Sequence, residues 1–277
     1  MNRWMHLIEL ALAEDAALHD LTAQATIDER ATGHACIVAK ADGILSGTEL
    51  AYDTFHLLDA SIEQLWLCHD GESVKPGDTV VELAGPLRSL LAAERTALNF
   101  LQHLSGIASE TQRFVEAVAG TGCIIVDTRK TTPGWRWLEK KAVRDGGGSN
   151  HRMNLSDGML IKENHIQACG SITRAVACCR QLRSDCWIEV ECETLDQVDE
   201  AVTCAPDLIL LDNMSPELVA QARARVPDSI TLEASGNITL ANAKAYAQTG
   251  VDRLAIGSIT HSAPVLDLSM RVVGNPS

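Results

Sequence analysis

The sequence lacks several features that would define an extracellular, membrane or zinc-finger protein. Nine cysteines are spread over 277 residues, and no two of them have the CxxC spacing of a metal or redox motif. An odd number of unpaired cysteines favours free thiols in a reducing compartment, so we expect a cytoplasmic protein. The longest apolar runs, such as residues 208–211, are far too short to cross a bilayer. The acidic N-terminal stretch also lacks the small-residue cleavage pattern of a signal peptide.

Basic residues are scarce as well. The chain has 23 Lys and Arg against 37 Asp and Glu, a formal net charge of −14. This balance excludes duplex nucleic acid as an expected partner, because that partner requires a broad basic face. Residues 127–162 are the exception, with eight of the 23 cations and only four of the 37 acids. A local cationic segment in an acidic chain predicts a pocket for a small anion.

Strand-like apolar runs recur at nearly constant spacing in the second half of the chain. They begin at Trp187, Leu208, Thr231 and Arg253, at intervals of 21, 23 and 22 residues, with helical patterns between them. Two earlier runs, "CIIVDTRK" and "MLIKENH", belong to the same set. Buried strands alternating with helices predict a parallel sheet covered on both faces. No GxGxxG fingerprint opens any unit, which favours a βα barrel over a doubly wound sheet.

Polar residues stand where these runs end. In a βα barrel the carboxyl ends of the strands share one face, and that face holds the active site. Small residues at two of the ends let backbone N–H groups approach phosphate, and two carboxylates suit a Mg²⁺ ion that also binds substrate phosphates. The residues that the spacing gathers there are Arg129, Lys130, Lys162, Glu191, Asp212, Ser235, Gly236, Gly257 and Ser258.

Residues 1 to about 105 differ in pattern and predict a smaller α+β domain, followed by a long helix from Leu87 to Leu104 that leads into the barrel. Arg95 lies in this helix without an acidic residue three or four positions away. Two interpretations stay open for it. Its stem lies along an apolar face with the head in water, or its anionic partner comes from a ligand or another chain.

Alternatives also stay open for other charged residues. Lys162 suits a Schiff-base nucleophile as well as a carboxylate clamp, and Glu191 and Asp212 suit structural ion pairs as well as Mg²⁺. "TTPG" predicts a helix that starts at Pro133, with Thr132 as its cap. Further along that helix, the regularly spaced cations Arg136, Lys140 and Arg144 indicate a solvated or subunit-facing surface.

Eight segments, in order along the chain, resemble the quinolinate phosphoribosyltransferase family: "ERTALNFLQHLSGIA", "DTRKTTPG", "GGGSNHR", "LIKENHI", "VECETLDQ", "ILLDNM", "LEASGNI" and "GVDRLAIGSITHSAPVLDLSM". The resemblance implies a type II phosphoribosyltransferase. Its N-terminal α/β sandwich domain would span residues 1–105 joined by the C-terminal tail 264–277, and its incomplete α/β (TIM-like) barrel residues 106–263. It implies homodimers, or multiples of dimers, with the active site at the subunit boundary.

The implied reaction transfers the phosphoribosyl group of phosphoribosyl pyrophosphate to quinolinate with decarboxylation, giving nicotinate mononucleotide, pyrophosphate and CO₂ in NAD biosynthesis. Arg95 would come from the neighbouring subunit. The resemblance implies that the quinolinate pocket contains Arg129, His151, Arg152 and Lys162. It implies phosphoribosyl pyrophosphate ligands at Lys130, Glu191, Asp212, Ser235, Gly236, Asn237, Gly257, Ser258 and His261. We add Thr128 to the substrate-binding set, expect Lys130, Lys162, Glu191 and Asp212 to be catalytic, and expect Glu191 and Asp212 to bind Mg²⁺ directly or indirectly.

The chain departs from the family pattern at His19, His103 and Asn154, which bears on loop shape more than on activity. Three rival functions remain: a relative that uses another pyridine acid such as nicotinate, a barrel aldolase or lyase that uses Lys162 covalently, and a non-catalytic binding homologue.

Overall fold

The computed structural model describes residues 4–274, and the chain divides into two compact units. The first takes in the described chain up to Glu110, Arg144–Gly146 and the described residues from Ala263 to Gly274. The second comprises Thr111–Val143 and Gly147–Ser262. The predicted N-terminal domain and its tail also include residues 1–3 and 275–277, which lie outside the described residues. No helix within residues 4–274 is long and apolar enough to cross a membrane.

The first unit is built on an antiparallel sheet of four strands in the order β12-β1-β5-β3. Their bounds are Thr32–Ala39 (β1), Glu63–Trp66 (β3), Thr79–Pro86 (β5) and Leu268–Val273 (β12), and a short pair joins Gly43–Ile44 (β2) to Ser73–Val74 (β4). Alternate residues of β1 are buried, as expected for a sheet with one face on the core. The helices of this part are Met5–Glu14 (α1), Leu21–Thr26 (α2) and Thr48–Leu58 (α3).

The long helix α4 (Leu87–Ala117) begins in the first unit at the predicted residue and extends well beyond the predicted end at Leu104. Its apolar side packs into the first unit's core, where Leu90, Leu98 and Leu101 are buried. Gly106 marks a close approach, since a Cβ there would lie 2.1 Å from the Pro264 carbonyl oxygen. This contact fixes the returning C-terminal segment against α4 before it enters the sheet as β12.

The second unit contains a parallel sheet of six strands in the order β6-β11-β10-β9-β8-β7. The strands are Ile124–Val126 (β6), Met159–Ile161 (β7), Ile188–Cys192 (β8), Leu208–Asp212 (β9), Thr231–Ser235 (β10) and Arg253–Ala255 (β11). Their nearly continuous burial is typical of strands covered on both faces. Among the described strands β6 and β7 are the unpaired edges, so the barrel is incomplete, which confirms the predicted fold class.

Helices alternate with these strands, as the sequence pattern predicts. They are Arg136–Asp145 (α5), Glu163–Cys169 (α6), Ile172–Leu182 (α7), Leu195–Thr203 (α8), Pro216–Arg223 (α9), Ala243–Ala247 (α10) and Ser258–His261 (α11). The predicted start of α5 at Pro133 is wrong, because the helix begins three residues later at Arg136. The Thr132 backbone N–H instead donates to the Glu139 side chain at 3.0 Å, and the chain turns before the helix begins.

Candidate active site

A cavity of about 350 Å³ lies at the carboxyl ends of the barrel strands, within the second unit. It brings together nine of the predicted site residues, which come from six different elements and loops. The lining residues are Thr128, Arg129, Lys130, His151, Arg152, Leu160, Lys162, Glu191, Leu210, Asp212, Glu233, Ser235 and Ala255. The convergence follows from the topology, since parallel strands deliver their ends to one edge.

The strand residues that line this cavity form two levels. Side chains two residues apart on a strand point to the same face, so Leu160 lies one step below Lys162, Leu210 below Asp212, and Glu233 below Ser235. We call Leu160, Leu210, Glu233 and Ala255 the floor of the cavity. The upper level carries the charged groups, and the floor is apolar except for Glu233.

Two guanidinium groups face the cavity without a carboxylate partner among the described residues. Arg129 Nε is buried and makes no hydrogen bond, and Arg152 Nη1 donates to the Gly158 carbonyl oxygen at 2.9 Å. Burial lowers the pKa of Arg152, and the neighbouring Arg129 lowers it further. Arginine remains charged in proteins nonetheless. Two unpaired cations side by side create a strong site for an anion.

Lys162 differs from these arginines because it is paired within the protein. Its Nζ donates to Glu191 Oε2 in an ion pair at the ends of β7 and β8. This contact is the structural ion pair that the sequence left open as one interpretation. A Schiff-base nucleophile needs a free, neutral amine, so the pairing favours the clamp over the covalent alternative.

The Lys130 loop packs against the turn that precedes α11. Thr260 Oγ1 donates to the Lys130 carbonyl oxygen at 2.8 Å, and a Cβ at Gly257 would lie 3.0 Å from Lys130 Cδ and 3.3 Å from His261 Cδ2. Gly257 and His261 are therefore close to Lys130, although they are not among the residues that line the cavity. Ser258 follows directly as the first residue of α11.

The "SGN" turn at the end of β10 depends on left-handed backbone. Gly236 has φ +90°, and a Cβ there would lie 2.1 Å from Asn213 Oδ1, so only glycine fits. Asn237 has φ 54°, and its Nδ2 donates to the same Asn213 oxygen at 3.0 Å. The turn is thus held in one shape, beside the cavity residue Ser235.

His151 is fixed by bonds at both ring nitrogens. Its Nδ1 accepts the Arg152 backbone N–H at 2.7 Å, so Nε2 carries the proton and donates to Glu189 Oε2 at 2.9 Å. Nε2 is 3.6 Å from Glu233 Oε1. The donor atoms of His151, Glu189 and Glu233 lie within 4.8 Å of one another, but this tautomer leaves no lone pair on Nε2 for a metal ion.

A buried ion pair supports the loop that carries His151. Lys140 on α5 is fully buried and paired with Asp127, and it also donates to the His151 carbonyl oxygen at 2.9 Å. Asp127 accepts further bonds from Asn150 Nδ2 at 2.5 Å and the His151 N–H at 2.9 Å. The predicted solvated or subunit-facing surface is therefore wrong for Lys140. Its charge is turned inward because Asp127 lies at the end of β6.

Two acidic residues of this region escaped the sequence interpretation. Glu189 and Glu233 are both fully buried on β8 and β10. The signal was present, since "IEVEC" and "TLEAS" place an acid two residues before Glu191 and Ser235, on the same face of the strand. Arg95, in contrast, is exposed on α4 in the first unit, and the cavity is lined by second-unit residues alone.

The fold and the cavity define a class of protein: an enzyme on an incomplete α/β barrel whose site gathers cations for an anionic substrate. Residues 20–105 match the N-terminal domain, and residues 107–271 the C-terminal domain, of quinolinate phosphoribosyl transferase. The chain therefore belongs to the quinolinate phosphoribosyltransferase family, which confirms the resemblance seen in the sequence.

Individual relatives agree with this assignment over nearly the full length. A probable nicotinate-nucleotide pyrophosphorylase [carboxylating] of Bacillus subtilis is 44% identical, covering 94% of this chain and 90% of that protein. The nicotinate-nucleotide pyrophosphorylase [carboxylating] of Mycobacterium leprae is 40% identical over 95% of each chain. The solved structure of the nicotinate-nucleotide pyrophosphorylase from Francisella tularensis superimposes with a TM-score of 0.94 at 39% identity, covering 99% of this chain and 98% of that one.

Proposed function

We propose that the protein transfers the phosphoribosyl group of phosphoribosyl pyrophosphate to quinolinate and releases CO₂, forming nicotinate mononucleotide and pyrophosphate. The observation that carries this proposal is the pair of unpaired guanidinium groups, Arg129 and Arg152, in one cavity with the carboxylates Glu191 and Asp212. Quinolinate brings two carboxylates for the cations. The co-substrate brings hydroxyl and phosphate groups for the opposite side.

Quinolinate fits the cationic side of the cavity. A guanidinium binds a carboxylate through two parallel hydrogen bonds, so Arg129 and Arg152 would fix both the position and the plane of the ring. The apolar floor residues Leu160, Leu210 and Ala255 offer a surface for the ring itself. Held in this way, the pyridine nitrogen attacks the sugar carbon as pyrophosphate leaves, and the site contributes mainly by positioning and charge.

Phosphoribosyl pyrophosphate fits the opposite side. Glu191 and Asp212 end adjacent strands, and their oxygens are hard donors of the kind that Mg²⁺ prefers. When bound there, Mg²⁺ would neutralise charge on the pyrophosphate. Lys130 would bind the departing phosphates, and the turns at Ser235 and Gly257 would present backbone N–H groups to phosphate oxygens.

The assembly and location belong to the same proposal. A homodimer, or a multiple of dimers, would bring Arg95 of one subunit to the quinolinate site of the other, and the exposure of Arg95 on α4 leaves its head available. All nine cysteines are free, which supports a cytoplasmic location.

The test is incubation of the purified protein with quinolinate, phosphoribosyl pyrophosphate and Mg²⁺, with nicotinate mononucleotide and CO₂ as readouts. We expect both products in equal amounts, and their loss when EDTA removes the metal. A parallel incubation with nicotinate distinguishes the two candidate substrates, because nicotinate would yield the mononucleotide without CO₂. Borohydride trapping of a carbonyl compound on Lys162 would instead favour the lyase.

A further inference from the structure

Glu233 is the one ionisable residue on the cavity floor. Its side chain is 0% exposed, and neither carboxyl oxygen has a hydrogen-bond partner among the described residues. The other floor residues, Leu160, Leu210 and Ala255, offer it no polar contact. A buried carboxyl without a partner is costly in its ionised form. The presence of an acid at this buried position therefore needs a chemical explanation.

The surroundings of Glu233 favour the neutral acid. Burial raises the pKa of Glu233 well above its usual range, and the nearby acids Glu189 and Asp127 act in the same direction, while Arg253 on β11 opposes them. His151 does not neutralise Glu233, because its Nε2–H is used by Glu189 at the shorter distance of 2.9 Å. Burial without a hydrogen-bond partner therefore favours the protonated form of Glu233, and no described residue accepts a hydrogen bond from it.

The ligand gives a second reason for a neutral carboxyl. The cavity would receive a dianion, and an ionised carboxylate directly below it would oppose the cations that hold that dianion. A protonated carboxyl carries no such charge and keeps an acidic hydrogen at the lining of the cavity. The charge of the proposed substrate therefore favours the protonated form of Glu233 over the carboxylate.

We propose that Glu233 is the catalytic acid that delivers a proton to the ring carbon from which CO₂ departs. The proposal rests on the proposed function, since it assigns a step within that reaction. The bond between the ring carbon and its carboxylate breaks, CO₂ leaves, and the electron pair stays on the carbon beside the cationic ring nitrogen. That carbon takes the proton of Glu233, which becomes a carboxylate and regains a proton from water as the product leaves.

The test is a single-turnover experiment on Glu233→Gln with quinolinate, phosphoribosyl pyrophosphate and Mg²⁺. The amide has nearly the shape of a protonated carboxyl but has no proton to give. We expect quinolinate binding within about threefold of the wild type, and pyrophosphate release that continues. We expect nicotinate mononucleotide to form at least about 100-fold more slowly, the range in which general acids act, while the ribosylated dicarboxylate accumulates.

Two further variants sharpen the result. Glu233→Asp keeps an acid one methylene further away, and we expect it to form nicotinate mononucleotide at least about tenfold faster than Glu233→Gln. Glu63→Gln, at an exposed position on β3, is the matched control and should behave as the wild type. A mixture of products from these variants is resolved by the ratio of pyrophosphate to mononucleotide.

Three results would overturn the assignment. Glu233→Gln could form the mononucleotide at the wild-type rate, lose pyrophosphate release and mononucleotide formation equally, or fail to fold, which would mean that the fold needs the carboxylate. An aspartate variant no faster than the glutamine variant would count against it as well. If the wild type itself forms no mononucleotide, the proposed function fails instead, so the two failures are distinguishable.

Discussion

Replacement of Lys140 by Met tests the buried ion pair that supports the His151 loop. Both Lys140 and Asp127 are 0% exposed, and removal of one partner of a buried pair typically costs about 3–5 kcal/mol because the other charge is left uncompensated. Two donors to Asp127 remain in the variant, the Asn150 amide and the His151 N–H. We therefore expect a loss at the lower end, about 3 kcal/mol in the free energy of unfolding.

The assay is chemical denaturation at pH 7 of four proteins: the wild type, Lys140→Met, Asp127→Asn and the double variant. Removal of both charges avoids a lone buried ion, so the double variant should be more stable than Lys140→Met. Lys244→Met, at an exposed position on α10, is the matched control and should change stability by less than about 0.5 kcal/mol.

The pH dependence gives an independent check. Burial raises the pKa of Asp127 in the folded protein, even though Lys140 opposes the shift. Without Lys140 the folded state keeps a proton that the unfolded chain loses near its ordinary value of about 4. The stability of Lys140→Met should therefore fall as pH rises from that value through the raised pKa. A loss below about 1 kcal/mol, or strictly additive effects in the double variant, would refute the reasoning.

Three other predictions concern the proposed site. Arg152→Leu should abolish measurable quinolinate binding by calorimetry and leave phosphoribosyl pyrophosphate binding within about threefold of the wild type. Arg174→Leu, on the exposed face of α7, is the control. Equal loss of both ligands in Arg152→Leu would contradict the division of roles. Gly236→Ala should weaken phosphoribosyl pyrophosphate binding and lower stability by about 1–3 kcal/mol in thermal unfolding. The reason is that alanine is strained at φ +90° and would overlap the Asn213 side chain. An unchanged affinity for phosphoribosyl pyrophosphate would count against the turn as its ligand. Inactive Arg95→Ala and Lys162→Ala proteins should regain activity when mixed, since a mixed dimer holds one intact site, and no regain would exclude the donation of Arg95 across the interface.

The repeat of apolar runs was sufficient to predict the barrel sheet and the strand-end residues Lys162, Glu191, Asp212 and Ser235 that line the cavity. Strand ends such as Glu191 and Asp212 could be placed from sequence because parallel strands and a period of two leave few alternatives. The core of the barrel was less predictable. The four-residue spacing of Lys140 from Arg136 and Arg144 predicts a surface residue. Only the position of Asp127 in the fold shows that the Lys140 charge points inward.

Glu233 illustrates the same limit from another side. An acid within an apolar strand run indicates either an ion pair or a strand boundary, and the sequence does not say whether a partner reaches it. The start of α5 was missed for a local reason, since the Thr132 N–H bonds to a side chain and delays the helix. Neither the missing partner of Glu233 nor the side-chain bond to Thr132 leaves a periodic signal along the chain.

The pairing of β12 with β1 has a consequence for synthesis on the ribosome. Six residue pairs, from His34 with Val273 to Ala39 with Leu268, join the two strands. All six barrel strands are translated before β12 emerges, so β1 keeps an open edge throughout that interval. The unit translated first is thus the one that is completed last.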